Sequence, residues 1–350
     1  MTTAGIEWRW IKAFARTFEL CAVSPGDEVA IVSETTSRRI NVDLAELALL
    51  SMDARPFHVV LPSPEPKTSI PIQSTGSTTA LNGRDQVVRA LSSSGLLVVD
   101  LTVEGMLHAP QTKQILSSGA RVLYISNEHP EILARLLPSP SLEPKIRAGQ
   151  DMLRAASVMR FTSAAGTDLT VKMDGAIVGG GWGYCRDPGS ISHWPGGLIA
   201  CVPKRGSVDG TIVMAPGDIN LTFKRFLETP VTLRVENDYV RSIEGDGLDA
   251  ELMRSYYAAW DDPEAYATSH VGWGMNPAAR WETFVLYDGE QTNGTEQRAF
   301  AGNFLYSTGG NGKANRFTDC HFDLPIRGCS VHLDNTLIVD AGRIVHPALV

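Results

Sequence analysis

His321 and Asp323 stand two residues apart in Asp319-Cys320-His321-Phe322-Asp323-Leu324-Pro325-Ile326, a run whose Phe322, Leu324 and Ile326 read as a strand. Side chains i and i+2 of a strand share a face, with Cα atoms about 6.5–7 Å apart, so both tips reach one ion. Cys320 then points the other way, and its expected role is that of a small buried hydrophobe. A third donor is available in His270, set among Gly272, Gly274 and Pro277 in a stretch that reads as a turn-rich segment. Two histidines and one carboxylate make the facial triad of non-haem Fe(II) enzymes, which leaves coordination positions for substrate and O2. Each piece also has a plainer reading, a solvent-facing strand for the first and a hydrogen-bonded loop histidine for the second.

Two more histidines stand where chemistry is expected. His108 follows the apolar run Leu96 to Leu101, and ligands of parallel sheets gather just past the carboxyl ends of such strands. Its near-neutral pKa suits an acid/base. His193 closes Gly181-Trp182-Gly183-Tyr184 through Ser190-Ile191-Ser192-His193-Trp194-Pro195, dense in glycine, proline and aromatic residues. Loops of that kind wall pockets for flat ligands, and they also serve as rigid turns.

The elements that must position these residues fall into two textures. Up to residue 158, helical patterns alternate with short apolar runs at 29–32, 57–61, 96–101 and 120–125, the signature of βαβ units with a buried parallel sheet. Residues 62–79, rich in Pro, Ser and Thr, read as a long loop. Beyond, short alternating segments at 169–173, 210–214, 231–235, 239–243, 283–287 and 337–339 read as strands, with a helix over 248–260. The expected fold is therefore an N-terminal Rossmann-like parallel α/β domain, 1–158, and a C-terminal mixed or antiparallel β domain with helices, 159–350, that carries the metal-binding segments. A site in the cleft between them, with His108 reaching across, follows.

Composition excludes several classes. The 350-residue chain is 43% hydrophobic and carries a formal net charge of −8, which argues against a nucleic-acid or anionic-membrane surface. It contains no run of eighteen apolar residues and no signal-like N-terminus, so a cytoplasmic location is expected. The five cysteines, an odd number without a C-x-x-C pair, fit neither a disulfide framework nor a structural zinc site. There is no G-x-G-x-x-G after a strand, no phosphate-binding loop and no G-x-S-x-G elbow.

Five ordered segments, Leu107-His108-Ala109-Pro110, Asp187-Pro188-Gly189 through His193-Trp194-Pro195, Ser269-His270-Val271-Gly272-Trp273-Gly274, Gly302-Asn303-Phe304-Leu305-Tyr306-Ser307-Thr308-Gly309 and Cys320-His321-Phe322-Asp323, resemble the 2,5-dihydroxypyridine 5,6-dioxygenases of bacterial nicotinate degradation. The resemblance runs through nearly the whole chain. It implies an aminopeptidase T-like fold, Fe(II), a homo-oligomer, and ring opening between C5 and C6 with O2 to give N-formylmaleamate. It further implies that His270, His321 and Asp323 hold iron, that His108 is the acid/base, and that Leu107, Gly181, Trp182, His193 and Ser307 contact substrate. One departure is visible: the family places a glutamate where this chain has Gly181, so the resemblance leaves room for a ring substituent. A metal-dependent aminopeptidase or related hydrolase is the rival reading from the shared fold. It needs two ions about 3.5–4 Å apart and hence more carboxylates than this pattern gathers. A non-catalytic binding protein for a small molecule is a third reading.

Overall fold

The computed structural model describes residues 5–65 and 77–350. Part of the expected loop at 62–79, residues 66–76, lies outside the described residues. In chain order the first half contains α1 Trp8–Leu20, β1 Glu28–Glu34, α2 Arg39–Ser51, β2 Arg55–Leu61, α3 Asp85–Leu91, β3 Leu97–Leu101, α4 Thr112–Ser117, β4 Arg121–Ile125, α5 Pro130–Arg135 and α6 Leu142–Ala155. There follow β5 Val158–Ser163, β6 Asp168–Lys172, β7 Ile177–Gly181, β8 Ile191–Trp194, β9 Leu198–Val202, β10 Val208–Met214, β11 Ile219–Asn220, β12 Arg225–Phe226, β13 Val231–Glu236 and β14 Tyr239–Glu244. The last part holds α7 Leu248–Ala258, β15 Thr268–Gly274, α8 Thr295–Ala299, β16 Phe304–Asn311, β17 Arg316–Ile326, β18 Cys329–Leu333, β19 Thr336–Asp340 and β20 Arg343–Ile344.

The parallel sheet has the order β2-β1-β3-β4-β8. β3 and β4 are buried along their whole length because helices cover both faces, which is why they read as unbroken apolar runs. β2 is an edge strand, with Phe57 and Val60 exposed. His58 is on this open edge, 3.4 Å from Glu46. The expected domain boundary at 158 coincides with the start of β5, yet residues 191–194 return to pair β8 with β4 in the first sheet. One segment of the second half thus completes the parallel layer.

The rest is antiparallel. An eight-stranded sheet, β14-β13-β10-β6-β5-β18-β19-β20, packs against a five-stranded sheet, β17-β16-β15-β9-β7, with Phe161 stacked on Phe304 at 4.0 Å between ring centres. α6 and α7 contribute Ile146, Leu153, Met253 and Tyr256 to the same core. All five cysteines are buried and free, and Cys320 lies in this core beside Tyr256, on the far side of β17 from His321.

Two expectations fail here. Residues 283–287 are not a strand: Glu282–Val285 is a 3-10 turn that sends Phe284 into a small cluster with Ile219, Leu221 and Trp281 while Val285 and Leu286 stay exposed. The apolar alternation finds no partner strand among the described residues. The segment around His270 is not a turn but a central strand, and its glycines are there for close approach. A Cβ at Gly272 would run into the Ile199 carbonyl of the neighbouring strand.

Candidate active site

The five-stranded sheet builds one wall of the site. Ser307 on β16 lies directly opposite Asp323 on β17, and Gly309 opposite His321, so the two candidate ligands of β17 sit on one face as their spacing predicts. His270 reaches that face through an irregularity: the pairing of β15 with β16 shifts between Thr268 and Val271. A bulge of this kind re-aims a side chain. A second shift follows Gly309, whose φ of +92° is a conformation that favours glycine. It brings the Gly310 carbonyl to 2.9 Å from His321 Nδ1. Nδ1–H donates there, which leaves the Nε2 lone pair of His321 directed at the site.

Asp323 is gripped from several sides. Arg298 Nε donates to Oδ2 at 2.5 Å, and the Ser307 hydroxyl donates to Oδ1. Burial alone would push this carboxyl up, but Arg298, His321 and His270 outweigh it and hold the group well below the usual carboxylate range. His270 Nε2 lies 3.4 Å and His321 Nε2 3.3 Å from Oδ1. Ser307 Oγ also faces the edge of the His270 ring, 3.0 Å from Nε2 and 3.1 Å from Nδ1.

His108 comes from the other layer, on the loop that follows β3. Buried Asp100, the fourth residue of β3, shapes that loop by accepting from Thr102 N, Thr102 Oγ and Met106 N at 3.0, 2.6 and 2.6 Å. Burial pushes Asp100 up to about 7 against the pull of those donors. The His108 ring lies 4.6 Å from that of His321 and 6.1 Å from that of His270, centre to centre. Burial, followed by the neighbouring His321 and His270, pushes His108 well down, and burial brings His270 to about 4. His108 and His270 are therefore neutral donors at pH 7. One ligand nitrogen from each of His108, His270 and His321 can be chosen so that all lie within 4.8 Å of one another.

This donor set fits a divalent metal. Bonds of about 2.0–2.2 Å put adjacent donors of one ion roughly 3 Å apart, close to the spacing of Asp323 Oδ1 from the two Nε2 atoms. Neutral imidazoles and one ionised carboxylate supply lone pairs without prior loss of a proton.

A cavity of about 190 Å³ opens on these groups. A cavity of roughly 150 Å³ admits a benzene ring, so the space suits a single substituted ring. Leu107, His108, Gly181, His193, His270, His321 and Asp323 all line it. His193, on β8, places Nδ1 2.6 Å from the Pro195 carbonyl; with that proton donated, Nε2 is an acceptor turned toward Gly181. Ser307 lies beneath the lining, where its hydroxyl positions Asp323 and His270. Trp182 is not brought to this cavity: it lines a second one beside Pro138 and Met275 and packs under Arg147 at 4.5 Å. Its neighbour Gly181 ends β7, so alternation turns the indole to the opposite side.

Sequence reasoning missed Arg298, Tyr124, Asn311 and Lys313, which also line the cavity. No local pattern marks them. Arg298 reaches Asp323 across 25 residues of chain, and only the packing of α8 on β17 makes them neighbours.

Fold and site together define a two-layer α/β and antiparallel-β protein with a metal-capable histidine–carboxylate cluster over a pocket for a small ring. The chain belongs to the 2,5-dihydroxypyridine 5,6-dioxygenase family, whose model matches residues 9–346. It is 35% identical over 338 residues, 95% of each chain, to the 2,5-dihydroxypyridine 5,6-dioxygenase of Pseudomonas putida strain KT2440. A solved structure of 2,5-dihydroxypyridine dioxygenase from that strain superposes with a TM-score of 0.90 at 34% identity, covering 97% of both chains. AmpT from Thermus thermophilus, 15% identical with a TM-score of 0.63 over 97% of this chain and 99% of its own, shares the fold. Among the described residues no helix is long and apolar enough to cross a membrane.

Proposed function

We propose that this protein is a non-haem Fe(II) dioxygenase that opens the C5–C6 bond of 2,5-dihydroxypyridine or a ring-substituted relative to give N-formylmaleamate or its substituted counterpart. The observation that carries the reading is the convergence of His270, His321 and Asp323 on one side of a ring-sized cavity with His108 facing them. In a chain of this family, His270, His321 and Asp323 would hold the iron and His108 would act as acid/base. Iron, when bound, supplies the redox chemistry by which triplet O2 reacts with a closed-shell ring.

The protein's own groups do the rest. Leu107, Ile191, Leu198 and Leu305 enclose the ring and exclude water. His193 Nε2 accepts a hydrogen bond from a ring N–H or hydroxyl and so orients the ring. The neutral His108 imidazole takes the proton from a ring hydroxyl oxygen, which raises electron density on the carbons to be cleaved. The balance closes on one O2 per ring: C5 ends as a carboxyl carbon, C6 as the formyl carbon on nitrogen, and both oxygen atoms remain in the product. Asp323 is the one carboxylate in the described lining of the cavity. That set favours a single-ion site over a co-catalytic hydrolase pair.

The experiment is O2 uptake by anaerobically Fe(II)-loaded protein mixed with 2,5-dihydroxypyridine or its carboxylated derivatives, with loss of ring absorbance and product mass recorded together. One O2 consumed per ring supports the reading, and an iron-replete protein that consumes none with any of these rings overturns it. A homo-oligomer in the cytoplasm is part of the same proposal, and light scattering of the purified protein tests the assembly.

A further inference from the structure

Two lysines turn toward the interior, Lys224 from a half-buried position and Lys313 from an exposed turn whose ammonium reaches over Gly179 into the ring cavity, and only Lys224 has its charge answered. Lys224 Nζ donates to the Thr292 carbonyl at 2.8 Å, and the carboxylates of Glu128 and Glu104 act on it. Lys313 lines the ring cavity, and among the described residues its ammonium makes no hydrogen bond or ion pair. Burial pushes it down with no carboxylate to oppose the shift. The other cation of the lining, Arg298, is engaged by Asp323, the sole acid there. An ammonium turned into a cavity, partly out of water, is favoured by an anion that pairs with it.

The position of Lys313 is built in. It sits in the 3-10 turn Gly312–Ala314, where its own N–H donates to Asn311 Oδ1 at 3.0 Å. Asn311 Nδ2 in turn donates to the Ser269 carbonyl and hydroxyl at 3.2 and 3.1 Å, and Ser269 lies beside His321. The turn is thereby tied to the framework that holds the metal-capable histidine. On the opposite side the ammonium lies over Gly179: a Cβ there would come to 3.3 Å from Nζ. A Cβ at Gly181, two residues along β7, would come to 3.1 Å from His193 Nε2. These two contact points are one strand repeat apart, about 7 Å. A bare glycine floor thus runs between the ring-orienting histidine and the unanswered cation.

We infer that Lys313 is a specificity-determining residue, and that the ring this enzyme takes carries an anionic substituent, a carboxylate at C3 or C4 of the dihydroxypyridine, whose oxygens accept from Nζ over the Gly179–Gly181 floor. The inference rests on the dioxygenase reading for the identity of the ring, and C3 and C4 are the carbons of that ring which bear neither hydroxyl nor the bond to be cleaved. A charge-assisted pair in a half-buried site favours the carboxylated ring by roughly 10–100-fold in affinity.

The test is anaerobic calorimetric titration of metal-loaded wild type, Lys313→Met and Lys313→Arg with 2,5-dihydroxypyridine and with its 3- and 4-carboxylates, each variant first checked for an unchanged melting profile. The expected result is that wild type binds one carboxylate at least about tenfold more tightly than the parent ring, that Lys313→Met loses most of that ratio, and that Lys313→Arg keeps most of it. A wild type that prefers the parent ring, or a preference that survives intact in Lys313→Met, overturns the inference. Because the readout is binding, a bound ring that consumes no O2 counts against the dioxygenase reading and leaves the Lys313 assignment standing.

Discussion

His270, Ser307, His321 and Asp323 are carried on three adjacent antiparallel strands, where ladder hydrogen bonds fix their mutual distances. His108 is carried on a loop of the parallel layer, and its placement depends on one buried carboxylate, Asp100. A metal site needs donor spacings fixed to a few tenths of an ångström, which a sheet provides. A proton-moving group must meet a ligand that enters and leaves, which a loop at the carboxyl end of a parallel strand allows. The cavity lies where the two kinds of support face each other.

That contrast can be broken at either side. Asp323→Ala removes the only carboxylate of the cluster; turnover is expected to fall to background, with iron content lost in step, as read by metal analysis of the purified variant. Ser307→Ala keeps every donor but frees Asp323 and His270 from their shared hydroxyl. Iron affinity is expected to drop about 10–100-fold, with most of the turnover recovered at saturating iron. On the loop side, Asp100→Asn sets an amide N–H against Met106 N–H or Thr102 N–H. A loss of about 1–3 kcal/mol in unfolding free energy is expected from chemical denaturation, with iron affinity little changed. An iron affinity that fell as far in Asp100→Asn as in Ser307→Ala would erase the distinction between the two layers.

How much of this was legible differs in the same way. The parallel strands announce themselves as apolar runs because helices bury both faces, and β1, β3 and β4 lie where those runs predict. The strands that carry the site do not. β16 is buried throughout yet contains Ser307, Thr308 and Asn311, so neither alternation nor an apolar run marks it. His321 and Asp323 were readable as a pair because a two-residue step is a local property of any strand. Their link to His270 was readable only as one of two alternatives, since it depends on a bulge that spacing does not show, and the family resemblance was needed to choose between them. Arg298 and Lys313 had no sequence signal, because an ion pair between α8 and β17 and a cation turned into a cavity are properties of the assembled site. Trp182 lies at another cavity because a glycine-rich aromatic stretch predicts a pocket wall and says nothing of which side each residue faces.

The central claim is the division of labour itself, that the sheet holds iron and the loop histidine moves the proton. The direct measurement is Fe(II) stoichiometry and single-turnover rate of His108→Ala beside His321→Ala. The account predicts that His108→Ala retains about one iron per chain while its turnover falls about 10²–10⁴-fold, and that His321→Ala loses the iron. If His108→Ala loses iron as completely as His321→Ala, the three-histidine cluster is the ligand set, and the assignment of His108 as acid/base is contradicted.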